Sequence, residues 1–406
     1  MNIWARGPMQ ADFEERIDFN KMRAKRCEKV RQVMEQEGID ALFLWRDENV
    51  RYLTSLRVLM LQFRSSTTYG VLITKDAGPI LFMSSAEVVR AKEVMPWIEE
   101  FYSIPIMDEE GLVERVVVDK VVPLFKKYGI EQGRVGVDCL TFAQRKAFEK
   151  FLPNVEWVDG QMPIQRARMK KLPEEVAIIA EATAIADAVT QTAIEAVRPG
   201  VRECEVAGEA MRTMYRLGAE FGHTAVPFVA SGERMAPPTR FNTDKLIRNG
   251  DIVFIDIGAF WNGMFSDIGR TVICGKPHPQ QKRVYRTVYE ALMKGIEVMR
   301  PGTRCSEVAN IFKKVAGKYG LENSFIDLFI GHGVGCAPAE PPFLGETQPG
   351  AEDTVLEEGM VLAMEPLIWI PDIPGGAGVR IEDLIYISSE GPVVLSRVGY
   401  DEKLLD

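Results

Sequence analysis

The stretch Val253-Phe-Ile-Asp-Ile-Gly-Ala-Phe-Trp-Asn-Gly-Met-Phe-Ser-Asp267 decides how this chain is read. Val253, Phe254 and Ile255 form an apolar, β-rich run, and Asn262-Gly263 is a strong hairpin signal. Asp256 and Asp267 then stand on opposite arms of one predicted hairpin. Burying a bare carboxylate in a strand costs several kcal/mol unless it is paired, so two of them across one hairpin predict a shared cation.

Working outward, the same pattern recurs towards the C-terminus. Glu365 interrupts the apolar run Val361-Leu-Ala-Met-Glu-Pro366, and Glu382 interrupts Val379-Arg-Ile-Glu-Asp-Leu384. Between these acid-bearing segments lies Gly331-His-Gly-Val-Gly335, which reads as a glycine-rich loop presenting His332. An internal repeat links the two sets. Val197-Arg-Pro-Gly-Val-Arg-Glu-Cys-Glu-Val-Ala207 recurs as Met299-Arg-Pro-Gly-Thr-Arg-Cys-Ser-Glu-Val-Ala309. Each copy reads as helix, Arg-Pro-Gly turn and second helix, ending at Gly218 or Gly320. Two copies are too few for a solenoid; they predict one domain of two similar halves with a site where the halves meet. Four carboxylates and one imidazole suit two divalent ions, such as Mn, Co, Fe or Zn, better than a structural zinc. Two such ions about 3.5–4 Å apart can share a water and hold a substrate oxygen.

Ahead of Arg166-Ala-Arg-Met-Lys-Lys171, which reads as a basic connector, strands and helices alternate. A helix is expected from Phe19 to Gly38 and strands at Asp40–Trp45, Tyr69–Thr74, Pro79–Met83, Arg134–Asp138 and Val155–Val158. This is an α/β domain over residues 1–165, with no nucleotide loop, and Asp138 and Cys139 in it read as structural. Residues 1–18 are polar and irregular, either an arm on a partner subunit or a frayed end. Leu172-Pro-Glu-Glu175 opens a long helix to about Ala196, with Pro and acids suited to its first turn. Residues 166–406 form the second domain.

The net charge of −9 and a pI near 5.3 argue against nucleic acid or an anionic membrane as partner. No run reads as a signal peptide or a bilayer span. The six cysteines are scattered without paired spacing, which fits a reduced, cytoplasmic protein.

Asp256 with Asp267, Ser266-Asp-Ile-Gly-Arg-Thr271, Gly331-His-Gly-Val-Gly335, Met364-Glu-Pro366 and Ile381-Glu-Asp383 together resemble the creatinase/prolidase/methionine aminopeptidase family. The resemblance is close from about Lys171 onward and looser before it. It implies a creatinase-type N-terminal α/β domain, a "pita-bread" catalytic domain with an internal pseudo-twofold repeat, and a homodimer. It also implies that Asp256 binds one metal, Asp267 and Glu382 bridge, and His332 and Glu365 bind the other. Glu365 is suited to take a proton from the bridging water. The implied activity is a dinuclear-metal hydrolase of the Xaa-Pro peptidase type, acting on a short peptide or small amide through a metal-bound water.

Two positions depart from the pattern. In the prolidase-like peptidases a histidine follows the strand-end Ser-Gly by seven residues; here that place is Thr239. A second histidine follows the metal-binding one by seven; here it is Ala339. Losing one such donor costs about 10²–10³ in rate. His223 reads either as a partial stand-in lining the pocket or as a strand-end histidine bonded to backbone. His278, between two prolines, reads as exposed, and Cys336 as a further pocket candidate. Trp261, Thr239 and Arg380 are the candidate substrate contacts, while Phe260 and Trp261 read equally as core. The alternative activity is a non-peptidase of the same fold, similar to the dimethylsulfoniopropionate lyases, which remove an α-proton. Those resemble a site with an extra Asp two residues after the first ligand, where this chain has Gly258. A non-catalytic binding module is disfavoured because such relatives lose metal ligands.

Overall fold

The computed structural model describes residues 17–57, 67–224, 226–235, 241–324, 330–345 and 352–406. The chain divides into two units, one of Met1–Ile164 with Leu172–Ala177 and one of Gln165–Lys171 with Ile178–Asp406.

The first unit opens with α1 (Phe19–Glu37), which stops at Gly38 in the left-handed region, as its sequence predicts. Then follow β1 (Ala41–Leu44), α2 (Asp47–Thr54), β2 (Gly70–Thr74), β3 (Ile80–Ser84), α3 (Ser85–Val94) and β4 (Phe101–Ile104). Next, α4 (Glu110–Val116) runs through a π turn into α5 (Val122–Lys127). The remaining elements are β5 (Arg134–Val137), α6 (Phe142–Phe151) and β6 (Glu156–Asp159). The strands form one sheet in the order β4-β3-β2-β1-β5-β6. Burial of Phe43, Trp45, Phe82, Phe125 and Phe148 supplies its core. Asp138 is structural: it accepts from Trp45 N, Arg46 N and Asn49 Nδ2.

The basic connector is not a loop. α7 (Gln161–Met169) takes in Arg166–Met169, and Arg168 and Lys171 are buried against Glu340. Paired burial, not solvation, explains that basic run. α8 (Pro173–Ala196) is long and apolar enough to cross a membrane by length and composition. Its Ala186, Val189 and Ala193 instead pack on Val206, Ala210, Met214 and Val253.

The second unit continues with α9 (Glu203–Arg216), β7 (Phe221–Gly222), β8 (Phe228–Ser231), β9 (Ile252–Asp256), β10 (Ala259–Trp261), β11 (Met264–Phe265) and β12 (Gly269–Ile273). After α10 (Pro279–Val298) the pattern starts again with α11 (Cys305–Lys318), β13 (Gly331–Gly333), β14 (Glu340–Leu344) and β15 (Val361–Met364). It closes with β16 (Leu367–Trp369), β17 (Gly378–Arg380), β18 (Asp383–Ser388), β19 (Gly391–Val394) and α12 (Glu402–Leu405).

The repeat seen in the sequence is a repeat in space. Both α9 and α11 begin with a capping box, in which Arg202 N and Arg304 N donate to Glu205 and Glu307, each at 2.9 Å. The turn glycines have positive φ, and Gly200 N and Gly302 N bond Ile247 O and Leu356 O at 2.9 and 2.8 Å. Each half then builds an antiparallel trio with its acid-bearing strand in the middle: β8-β9-β12, and β13-β15-β18 within a five-stranded sheet. These are the two similar halves that the repeat predicted, and they fit the pita-bread arrangement that the resemblance implied.

Candidate metal centre

The opening hairpin is longer than the sequence suggested. β9 pairs with β12, and β10 with β11, in one unbroken register from Ile252–Ile273 to Trp261–Met264. Asn262 and Gly263, both with positive φ, make the turn. Asp256 ends β9 and lies opposite Gly269; Asp267 falls opposite Gly258. The second half matches part of this pattern. Glu365 follows β15, donating its N–H to Ile330 O, and Glu382 immediately precedes β18.

The strands bring the five predicted ligands together. His332 Nε2 lies 3.3 Å from Glu365 Oε1 and 3.7 Å from Asp267 Oδ2. Asp267, His332 and Glu382 have ligand atoms close enough to share an ion, as do His223, Asp256 and Asp267. All five expected ligands are buried. The expected loop around His332 is a strand, β13, because Gly331 and Gly333 let Ala363 O and Pro341 O approach where a Cβ would stand.

Arg380 completes the cluster. It is buried, and its Nη1 lies 3.3 Å from Asp256 Oδ2 and 2.8 Å from Glu365 Oε2. Its guanidinium therefore joins one acid of each half. Burial works against its charge, but Glu365, Asp256 and Glu382 outweigh that and raise its pKa. Burial and the neighbouring acids push Asp267 up to about 6 and Glu382 well above the ordinary carboxylate range. Burial opposes charge on His332, yet the hydrogen bond and charge of Glu365 with the charge of Asp267 lift it to about 9. These shifts describe Asp267 and Glu382 buried among other acids, where added positive charge would favour their ionised forms.

Divalent ions fit this set. Asp256 Oδ1, Asp267 Oδ1 and both Glu382 oxygens are buried and take no hydrogen bond from any described residue. Orphaned, electron-rich oxygens are rare unless something outside the protein satisfies them. An oxygen-rich cradle with an imidazole suits Mn, Co, Fe or Zn.

The remaining candidates separate. His223 is held at the end of β7, with its ring against Asp256 and Asp267 at 3.4 and 3.9 Å. Trp261 is half-buried at the hairpin tip beside Met264, while Phe260 is core, packed on Phe221 and Phe265. Cys336 is buried with its Sγ 3.8 Å from Met264 Sδ. Ala339 is exposed and has only a methyl group. Thr239 lies outside the described residues. His278 is not simply exposed: it caps α10, its Nδ1 accepting from Gln280 N. Position 258 has no room for an acid, since a Cβ there would lie 2.0 Å from Ser266 O.

Comparison with known proteins agrees with this geometry. Residues 177–389 match the model of metallopeptidase family M24, and residues 26–170 match the creatinase/prolidase N-terminal domain. The chain is 32% identical to a Xaa-Pro dipeptidase of Pyrococcus horikoshii, over 92% of this chain and 97% of that protein. It is 31% identical to the Xaa-Pro dipeptidase of Pyrococcus furiosus, over 92% of this chain and 98% of that one. Among solved structures, a Xaa-Pro dipeptidase from Bacillus anthracis is similar with a TM-score of 0.79 and 29% identity, covering 93% of this chain and 99% of that chain. With a buried acid–imidazole cradle on the repeated strands, and with a family match spanning more than half its length, this chain belongs to metallopeptidase family M24 and carries a creatinase/prolidase N-terminal domain.

Proposed function

We propose that this protein is a metal-dependent peptidase that cleaves Xaa-Pro bonds in short peptides. The observation that carries the reading is the set of orphaned oxygens on Asp256, Asp267 and Glu382, buried beside His332 and Glu365. Relatives matched over nearly their full length are named Xaa-Pro dipeptidases, which supports the substrate class.

Asp256, Asp267, His332, Glu365 and Glu382 would hold two divalent ions, Mn, Co, Fe or Zn. Bound there, such ions supply Lewis acidity, lowering the pKa of water and polarising the scissile carbonyl. The chain's own groups do the rest. Glu365 is the group for accepting a proton, with Oε2 braced by Arg380 at 2.8 Å. Arg380 is better suited to holding Asp256 and Glu365 apart and in orientation than to contacting substrate. The half-buried indole of Trp261 remains the candidate apolar contact for a substrate side chain, together with Thr239. Ala339 brings no hydrogen-bond donor in its side chain, so substrate binding rests on other groups than in relatives that have histidine there. A lyase-type extra acid at position 258 is sterically shut out.

The test is direct. Protein loaded with Mn, Co, Fe or Zn is offered Xaa-Pro dipeptides, a Xaa-Pro-Yaa tripeptide and dimethylsulfoniopropionate. Proline release is expected; dimethyl sulfide release without it would overturn the peptidase reading. Asp267→Ala and Glu382→Ala should each lose bound metal by elemental analysis, and retention of full metal content in both would sink the ligand set. The active form is taken to be a cytoplasmic homodimer with its domain boundary near residue 165. Six free cysteines support a reduced compartment, and light scattering giving a monomer mass would remove the dimer.

A further inference from the structure

Two imidazoles reach the carboxylate cluster, and their backbone contacts are opposite. His332 Nδ1 lies 3.0 Å from Gly333 O, which can only accept. A ring proton therefore sits on Nδ1, which leaves Nε2, facing Glu365 and Asp267, as the nitrogen that offers its lone pair when a metal binds. That is the arrangement of a metal ligand steadied by a backbone carbonyl. At His223 the contact is reversed. The backbone N–H of Gly258, which can only donate, donates to His223 Nδ1. The lone pair is on Nδ1, and the neutral ring carries its proton on Nε2.

His223 Nε2 lies 3.4 Å from Asp256 Oδ1 and 3.9 Å from Asp267 Oδ1. By spacing alone the three side chains could hold an ion. A metal approaching that nitrogen would meet a hydrogen instead of a lone pair. The ring is also clamped. His223 N donates to Gly258 O at 2.9 Å, and a Cβ on residue 258 would stand 2.7 Å from His223 Cβ and 2.9 Å from Nδ1. Phe228 meets the ring edge-on at 5.5 Å.

We propose that His223 is a fixed Nε2–H donor that positions Asp256 and Asp267, and is not a sixth metal ligand. Its Nε2 lies beside Asp256 Oδ1 and Asp267 Oδ1, neither of which takes a hydrogen bond from a described residue. Such contacts tighten when a site is engaged. The donor leaves the other lone pairs of both acids to the ions, and it gives an imidazole N–H to a site whose accessory histidine positions hold Thr239 and Ala339. The proposal rests on the peptidase reading only for what the acids bind.

The chain has three histidines, so a protein labelled with ring-15N histidine gives three assignable imidazoles. In metal-free protein, 15N NMR should show a proton on Nδ1 of His332 and the Nε2–H tautomer for His223. An Nδ1–H tautomer at His223 overturns the proposal. On adding Zn²⁺, one imidazole should move to a metal-coordinated shift, and it should be the signal lost in His332→Ala. A coordinated signal lost in His223→Gln overturns the proposal. No coordinated imidazole at all would overturn the metal reading instead, while the metal-free tautomer still decides the role of His223. In kinetics, His223→Ala should lower kcat/KM about 10–100-fold. His223→Gln, whose amide N–H can replace Nε2–H, should recover most of it with metal content unchanged. Equal losses in the two variants would count against a donor role.

Discussion

The two halves of the catalytic unit share a scaffold and divide the chemistry unequally. Strand for strand, β8-β9-β12 corresponds to β13-β15-β18. By register, Asp256 corresponds to Glu365, since these follow Ile255 and Met364 and lie opposite Phe228 and Ile330. The other pairs differ in kind. Ala230, opposite Phe254, stands where the second half has His332, opposite Ala363. Gly269, opposite Asp256, stands where the second half has Glu382. The first half makes up one acid with Asp267, two residues before Gly269, and brings an imidazole from just after β7 as His223. A repeated fold thus fixes where side chains emerge, while the residue types at those points set what each half does.

Four experiments press on that comparison. The largest effect should separate the paired acids. Glu365→Gln should lower kcat by about 10²–10⁴-fold, as expected for a lost general base. Asp256→Asn, its counterpart, should act mainly through weaker metal binding and be restored in part by excess metal. Equal, metal-insensitive losses would mean that the halves are functionally equivalent.

Next comes Arg380, which bridges the halves through Asp256 and Glu365. Arg380→Met should destabilise metal-free protein by about 3–5 kcal/mol, the cost of breaking a buried charge set. Urea unfolding should show a smaller loss once metal is present, because the ions then balance the acids. The same loss in both states would show that Arg380 only packs.

Gly269→Ala tests why the pseudo-equivalent positions differ. A Cβ there would lie 2.7 Å from Glu382 Oε2 and 3.0 Å from Glu382 Cβ. Metal affinity, read by calorimetry, should fall about 10–100-fold, with secondary structure retained. Unchanged affinity would mean that Glu382 can move aside freely.

The smallest effect should be symmetric. Glu205→Ala and Glu307→Ala each remove one arm of a capping box. Each should cost about 1 kcal/mol in thermal or chemical unfolding. A large difference between them would break the structural equivalence of α9 and α11.

Much of this was legible in the sequence because it breaks a local rule. Asp256, Asp267, Glu365 and Glu382 are conspicuous as carboxylates in apolar runs, and the two Arg-Pro-Gly turns announce the repeat. What escaped depends on contacts between distant residues. Nothing around Arg380 says that it bridges Asp256 and Glu365. Arg168 and Lys171 look like a solvated linker until Glu340 is brought to them. β4 (Phe101–Ile104) is short and only partly buried, so it leaves little periodic signal. The reason for glycine at 258 and 269 appears only when the opposing strand and Glu382 are in place.

The contact between Gly269 and Glu382 has a consequence for the direction in which a substrate lies. Glu382 N donates to Gly269 O at 2.9 Å, so the two matching positions meet at the join between the halves. The space beyond Gly269 is filled by the Glu382 side chain, and a second carboxylate cannot enter from the other side. A cradle of full twofold symmetry would look the same to a peptide laid across it in either sense. A peptide has distinct amino and carboxyl ends, and Gly269 at the join, with Ala230 where the other half has His332, gives the cradle a front and a back.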